Sequence, residues 1–222
     1  MTAVAPQRVS THTVEGVAAI LGSSAVAIAL ILIWGSRLTV TRELYVSELG
    51  AEGEPTAAAF EIALLLIVMG GSAVAWAARR VRAWPPLLSW GSPAVSLWVG
   101  CGFFLVASQV TCTSGCPLPY GPSFTWQDFT HTLAAVLAFA AACWAMIQTS
   151  FAREHPVLAR MSIVTAIAVA VIAGTGGLFS LFRFQVVLGS RLEFVATTIA
   201  IAWLMMFGTV IAVRAFRRAA SE

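Results

Sequence analysis

The chain alternates between long apolar runs and short polar connections. Six runs have the length of a membrane span, at about 17–35, 57–78, 87–108, 127–147, 161–182 and 193–213. A helix needs about 20 apolar residues to cross the hydrocarbon core of a bilayer, so each run allows one crossing. The runs are continuous and lack the alternation of barrel strands. We therefore predict a single domain, 1–222, that is an all-α integral membrane bundle of six transmembrane helices.

Composition supports this prediction. The 222 residues are 59% hydrophobic and 10% charged, whereas a soluble domain carries about 25% charged residues. A soluble fold of this length could not bury so much apolar surface. No cleavable secretory signal precedes the first run, so we expect that span to be retained.

Arginine placement predicts the orientation, because cytoplasmic connections are enriched in basic residues. All 13 basic residues are arginine, a usage that fits a GC-rich bacterial coding bias. With a cytoplasmic amino terminus, the inner segments carry nine arginines and the outer segments four. We therefore predict a multi-pass protein of the bacterial plasma (inner) membrane with both termini in the cytoplasm. The expected partners are membrane lipids or a second membrane protein, and not nucleic acid.

The carboxylates show the opposite bias. Seven of the ten acidic residues fall outside the membrane or in the outer half of a span in this topology. Acidic residues contribute little to topology, so their distribution calls for another cause. We predict a polar pocket in the outer leaflet that binds a ligand. Its candidate residues are Glu48, Glu61, Asp128, His131, Arg191 and Glu193.

Asp128 and His131 form the densest part of this set. They are three residues apart at the start of the fourth span, so both project from one face of a helix. The pair could be a helix cap with a hydrogen-bonded histidine, a binding site for a ligand or headgroup, or an acid/base pair. We further expect Arg183 or Arg191 to meet Glu61, Asp128 or Glu193 in one polar cluster, since pairing offsets the burial of charge.

Two connections and one proline have open interpretations. The 42–55 connection is either a solvated loop or a segment that folds over the bundle and supplies polar groups to the pocket.

Cys112 and Cys116 lie in the outer 109–126 connection, where an oxidising compartment favours a disulfide. A metal site is disfavoured because no further ligand is near in the sequence. Pro93 predicts a bend within the third span.

Several short motifs resemble a known family. Residues 45–51 (YVSELGA), the Cys-x-x-x-Cys connection and Asp128-x-x-His131 resemble the bacterial six-span family labelled domain of unknown function nine hundred and ninety-eight. Residues 177–179 and 189–193 look like its last two spans, although the family's usual Glu-Arg order is reversed here. The first connection is also similar to the Frag/DRAM family. The resemblance implies a six-span architecture and no defined reaction.

Function therefore rests on the pocket. A zinc-dependent lipid amidase is disfavoured, because His12 and His155 lie about a bilayer thickness from His131 in this topology. We expect no cofactor and no metal ion. The favoured hypothesis is a non-enzymatic protein whose outer pocket binds a lipid headgroup, a small ligand or a membrane partner. The alternatives are a structural or assembly subunit and a metal-free hydrolase that uses Asp128 and His131.

The topology is testable with a reporter enzyme that is active only outside the cytoplasm. Fused after Glu222, the reporter should be inactive, because the inner segments hold the arginine excess. Inserted into the 109–126 connection, it should be active. Activity of the fusion after Glu222 would overturn the orientation.

Overall fold

The computed structural model describes residues 10–84, 91–117 and 120–222. Six α-helices follow one another along the chain: α1 Thr11–Thr39, α2 Ala57–Ala77, α3 Pro93–Gln109, α4 Trp126–Ser150, α5 Pro156–Leu181 and α6 Val186–Ala219. A short 3₁₀ helix, Ser47–Gly50, lies between α1 and α2, and these three ranges contain no strand. The all-α prediction is confirmed.

Five of the helices, α1, α2, α4, α5 and α6, are long and apolar enough to cross a membrane. The remaining helix, α3, has 17 residues, which correspond to about 26 Å at a rise of about 1.5 Å per residue. That is slightly less than the hydrocarbon thickness of about 30 Å. The predicted third span began at residue 87, and 85–90 lie outside the described residues. A sixth crossing therefore stays a prediction.

Local sequence determines where several helices begin. Side chains of Ser10, Ser92 and Thr125 accept hydrogen bonds from backbone N–H groups in the first turns of α1, α3 and α4. Pro93 and Pro156 occupy the first position of α3 and α5. The bend predicted at Pro93 is therefore wrong. A proline at the first helical position leaves no hydrogen bond broken, since that N–H has no partner within the helix.

The six helices form a closed ring. Each helix packs against the next in the chain, and α6 returns to pack against α1. Across the ring, α2 also packs against α6. The ring is therefore tight on the side of α1, α2 and α6, and its other side encloses space.

Small residues allow the close approach of α1, α2 and α6. A Cβ atom added to Gly22 would lie 2.6 Å from the carbonyl oxygen of Gly70, and one added to Gly70 would lie 2.6 Å from that of Gly22. Around this crossing, Val26, Val74 and Phe207 are fully buried. Small residues are the usual means by which membrane helices reach backbone contact.

Large apolar side chains cover the outside of the ring. Leu38 is 81% exposed, Ile31 69% and Val164 67%. α5 is the least buried of the five long helices. A soluble protein rarely exposes so much contiguous apolar surface, whereas a hydrocarbon environment favours it. The helices and this surface together indicate an integral membrane protein.

The bundle has two polar ends. The disulfide end holds the connections 40–56 and 182–185 and the segments 110–117 and 120–125, and the termini end holds residues 10 and 222. The hydroxyl of Ser10 donates to the carboxylate of Glu222, so the first and last described residues lie together. At the termini end, the buried carboxylate of Glu15 accepts a hydrogen bond from Arg79 at 2.7 Å. Which end faces the cytoplasm stays a prediction.

The glycine contact can be tested with Gly70→Ala. The new methyl group would collide with the Gly22 carbonyl oxygen at 2.6 Å, so the helices must move apart. We expect a loss of about 1–3 kcal/mol in the free energy of unfolding in detergent. The control is Gly102→Ala in α3, where a Cβ atom meets nothing within 4 Å. Equal stability of the two variants would contradict the close α1–α2 contact.

Candidate functional site

Residues 40–56, here named the covering segment, fold over the disulfide end. Two side chains of the segment, Leu44 and Leu49, are buried, at 2% and 0% exposure. The backbone N–H of Val46 donates to the Glu193 carboxylate at 3.2 Å, and the hydroxyl of Thr56 donates to the carbonyl of Leu49 at 2.8 Å. Of the two interpretations of this connection, the structure therefore has the folded segment and not the solvated loop.

Asp128 organises the neighbouring connection. Its side chain is fully buried and accepts hydrogen bonds from the N–H of Thr113 at 2.8 Å and from the Thr113 hydroxyl at 2.9 Å. The hydroxyl of Thr125 also donates to it. The carboxylate lies in the first turn of α4, where a negative charge is favoured by the helix dipole. Its partners explain its burial, and its role in this structure is to hold a loop.

Cys112 and Cys116 form the predicted disulfide, with an Sγ–Sγ distance of 2.14 Å. Cys101 and Cys143 are free. The N–H of Glu52 donates to the carbonyl of Cys112 at 2.9 Å, which joins the disulfide loop to the covering segment.

The disulfide also bears on metal binding. Cys112, Cys116 and His131 place their donor atoms within 4.8 Å of one another, the single such group in the described ranges. The sequence did not indicate that His131 is a neighbour of the cysteines, because His131 lies 15 positions beyond Cys116. Both sulfurs are bonded to each other, however, and a disulfide does not supply the thiolates that a metal requires.

His131 is held by backbone carbonyls. The ring is 4% exposed, and Nδ1 lies 2.7 Å from the carbonyl oxygen of Val110 and 3.0 Å from that of Ala107. Both partners are acceptors, so Nδ1 carries the hydrogen and Nε2 is an acceptor in the neutral ring. We find no hydrogen bond from Nε2 to the described residues, and none between His131 and Asp128. The geometry matches a hydrogen-bonded histidine and lacks the contact of an acid/base pair, and the residue that caps α4 is Thr125 and not Asp128.

A cavity lies beneath the covering segment, between α2, α3, α4 and α6. Its volume is about 90 Å³. Its lining extends from His131 to Ala142 on α4 and from Glu193 to Leu204 on α6, about 17 Å along each helix. The cavity is therefore long and narrow. Its polar lining residues, found towards the disulfide end, are Ser47, His131, Glu193 and Thr197.

The remaining lining is apolar. It becomes wholly so towards the middle of the bundle, where Ile67, Leu97 and Trp203 surround the cavity. The indole N–H of Trp203 donates to the hydroxyl of Ser162 at 2.9 Å, so its polar atom is satisfied outside the cavity. The cavity thus changes from polar to apolar along its length.

Two polar residues reach the cavity from α6. Glu193 was predicted to open the sixth span, but α6 begins at Val186, so the carboxylate lies about two turns inside the helix. Thr197 follows one turn later, is 7% exposed, and its hydroxyl oxygen has no hydrogen-bond partner among the described residues. Buried polar atoms are nearly always paired, so an orphan hydroxyl beside a cavity points to water or a ligand.

The predicted residues Glu48 and Arg191 lie outside the cavity lining. Glu48 accepts a hydrogen bond from the N–H of Tyr45 at 3.0 Å, and burial raises the pKa of its carboxyl group. Arg191 pairs with Glu43 at 2.8 Å, a hydrogen bond that lowers the pKa of the Glu43 carboxyl group. Both therefore contribute to the ion pairs of the covering segment and the start of α6.

Glu61 and Arg183 stand apart from the other predicted residues. Glu61 is exposed, and we find no hydrogen bond or ion pair from it to the described residues. It follows Phe60, which faces the cavity, and successive helical residues point about 100° apart. Arg183 is exposed and lies 5.9 Å from the ring of Tyr120. Of the expected cluster, the structure brings His131 and Glu193 to one cavity and leaves Glu61 outside it.

Sequence analysis missed Thr197 and Ser47. The spacing of Thr197 from Glu193, four residues on one helix, could have indicated a shared face. No sequence signal could have indicated Ser47, which reaches the cavity because the covering segment folds inward.

An all-helical bundle with apolar outer faces and a buried cavity defines a membrane-type helical protein. The sequence model of the family described as "protein of unknown function (DUF998)" matches residues 14–210, so the chain belongs to that family and the first resemblance is confirmed. No curated protein and no solved structure matches the chain. The similarity to the Frag/DRAM family stays a prediction.

The role of Asp128 can be tested by Asp128→Ala. The change removes the acceptor of three hydrogen bonds from Thr113 and Thr125, which should cost about 1–3 kcal/mol locally. The loop around Cys112 should open more often, so a soluble thiol should reduce the disulfide faster, as measured by alkylation and mass spectrometry. Glu61→Ala, an exposed acidic control on α2, should have a smaller effect. Equal reduction rates for wild type and Asp128→Ala would refute this role.

Proposed function

We propose that this protein is a non-enzymatic membrane protein that binds a single-chain amphiphile in the cavity. The polar end of the ligand lies beside His131 and Glu193, and its hydrocarbon chain extends towards Trp203. The observation that carries the proposal is the change from polar to apolar lining along one narrow cavity. With both termini in the cytoplasm, the polar end belongs to the outer leaflet.

The shape of the cavity supports a single chain. The long, narrow outline of the cavity, about 17 Å along each of two helices, suits one extended chain better than the paired chains and headgroup of a phospholipid. Ile67, Leu97 and Leu204 offer apolar contacts to a chain. Burial of such a chain in apolar surroundings is favoured by about 25 cal/mol per Å² removed from water, although a chain that comes from the bilayer gains less.

Two polar atoms at the cavity without hydrogen-bond partners indicate that the ligand carries a polar group. Nε2 of His131 and the hydroxyl of Thr197 lack partners among the described residues, and a ligand that pairs with them would recover the free energy lost by their burial. A pure hydrocarbon could not do so. This is the reason to propose an amphiphile.

The geometry does not favour the hydrolase alternative. Asp128 is occupied by Thr113 and Thr125, and His131 Nδ1 faces carbonyl oxygens. A general base must lie within hydrogen-bond reach of the nucleophile that it activates. No serine or cysteine with such a contact to His131 occurs in the described part of the chain. A structural role beside a second membrane protein remains the alternative.

Filling the cavity should prevent ligand binding. Ala142 and Ala200 both line it, so the double substitution Ala142→Leu with Ala200→Leu would place two larger side chains in the path of the chain. We expect native mass spectrometry of protein extracted from membranes to show a retained lipid adduct for wild type. The filled variant should lose most of it.

The matched control is Ala140→Leu with Ala202→Leu. These alanines lie on the same two helices and are exposed on the outer surface, so the adduct should persist. Absence of any adduct in wild type would favour the structural alternative. An adduct that survives in the filled variant would show that the lipid binds elsewhere and would reject the cavity as its site.

A further inference from the structure

We infer that the head of the bound amphiphile is a hydrogen-bond donor without a negative charge, such as a hydroxyl group, and that anionic phosphate heads are excluded. The inference rests on the proposed function and names the ligand class for the same cavity. It follows from the donors, acceptors and charges that line the polar end of the cavity.

The unpaired groups match a hydroxyl. With the hydrogen on Nδ1, Nε2 of His131 can accept one hydrogen bond, the carboxylate of Glu193 can accept further ones beside those from the backbone of Val46 and Ser47, and the hydroxyl of Thr197 can donate. A ligand hydroxyl offers one donor and two acceptor sites, so it can satisfy an acceptor and a donor at once. An ammonium group has donors alone, and it too can pair with the carboxylate of Glu193, Nε2 of His131 and the hydroxyl oxygen of Thr197. The shared requirement is therefore a hydrogen-bond donor without a negative charge.

Charge excludes a phosphate. The cavity lining contains no arginine, and its one acidic residue is Glu193. The arginines at this end lie outside the lining: Arg37 and Arg191 pair with Glu43, Arg42 pairs with Glu54, and Arg183 is exposed beside the ring of Tyr120. A phosphate at the polar end would therefore be desolvated beside a carboxylate without a cationic partner, which is strongly unfavourable.

The test compares three probes with the same eight-carbon chain, a diazirine at the chain end, and a hydroxyl, ammonium or phosphate head. Each is added to the protein in lipid nanodiscs and activated by light, and mass spectrometry locates the labelled residues. Labelling near Ala142 and Trp203 reports the deep end of the cavity. Labelling of the exposed residues Val164 and Ile167 on α5 corrects for different partitioning of the probes into the bilayer.

After this correction, the hydroxyl probe should label the deep end at least about tenfold more than the phosphate probe, because an unpaired buried charge is costly. The ammonium probe should also exceed the phosphate probe. Labelling by the phosphate probe that equals or exceeds that of either other probe would overturn the inference and leave the proposed function standing. Failure of all three probes to label the cavity would reject the proposed function itself.

Two pairs of variants assign the effect to residues. Glu193→Gln removes the negative charge and keeps an acceptor, so the hydroxyl-to-phosphate ratio should fall, whereas Glu61→Gln on the exposed face of α2 should not change it. Thr197→Val should weaken labelling by the hydroxyl probe severalfold, whereas Thr209→Val, exposed on the same helix, should not. An unchanged ratio in Glu193→Gln together with unchanged labelling in Thr197→Val would refute recognition by these groups.

Discussion

A carboxylate placed two turns inside a transmembrane helix needs partners, and this need organises the disulfide end of the protein. Glu193 receives the N–H of Val46, and the covering segment that contains Val46 is thereby drawn over the helices. The backbone N–H of Glu52, in the same segment, donates to the carbonyl of Cys112 and so joins the disulfide loop to the segment. Since an unpaired charge within the bilayer is costly, the carboxylate and its cover stabilise each other.

The ring of helices is tight on one side and open on the other for a steric reason. Glycines at the α1–α2 crossing let two backbones touch, and α6 packs against both helices. On the other side, Phe104 and Phe139 from α3 and α4 contact each other edge to face and line the cavity. The cavity is the space that remains, so its position follows from the distribution of small and large side chains.

The charged groups divide between structure and recognition. Asp128, Glu48 and Glu43 satisfy backbone groups or arginines close to them, and they hold the connections of the disulfide end together. Glu193 and His131 also contact backbone groups, but both line the cavity and keep hydrogen-bonding capacity for a ligand. A group that still has a free donor or acceptor site can bind a ligand. Such groups lie at the polar end of the cavity, and the proposed function is based on them.

The sequence alone determined the helical class, the positions of the apolar runs and the disulfide, because spanning length, hydropathy and redox compartment act locally along the chain. It also identified His131 and Glu193 as unusual within apolar segments. Tertiary structure decided which polar residues share a cavity. Glu61 and Phe60 are neighbours in sequence, yet Phe60 faces the cavity and Glu61 faces outward, because helix rotation is fixed by packing against other helices. Thr197 and Ser47 acquire their places only when α6 and the covering segment meet, a contact between residues about 150 positions apart that no local pattern encodes.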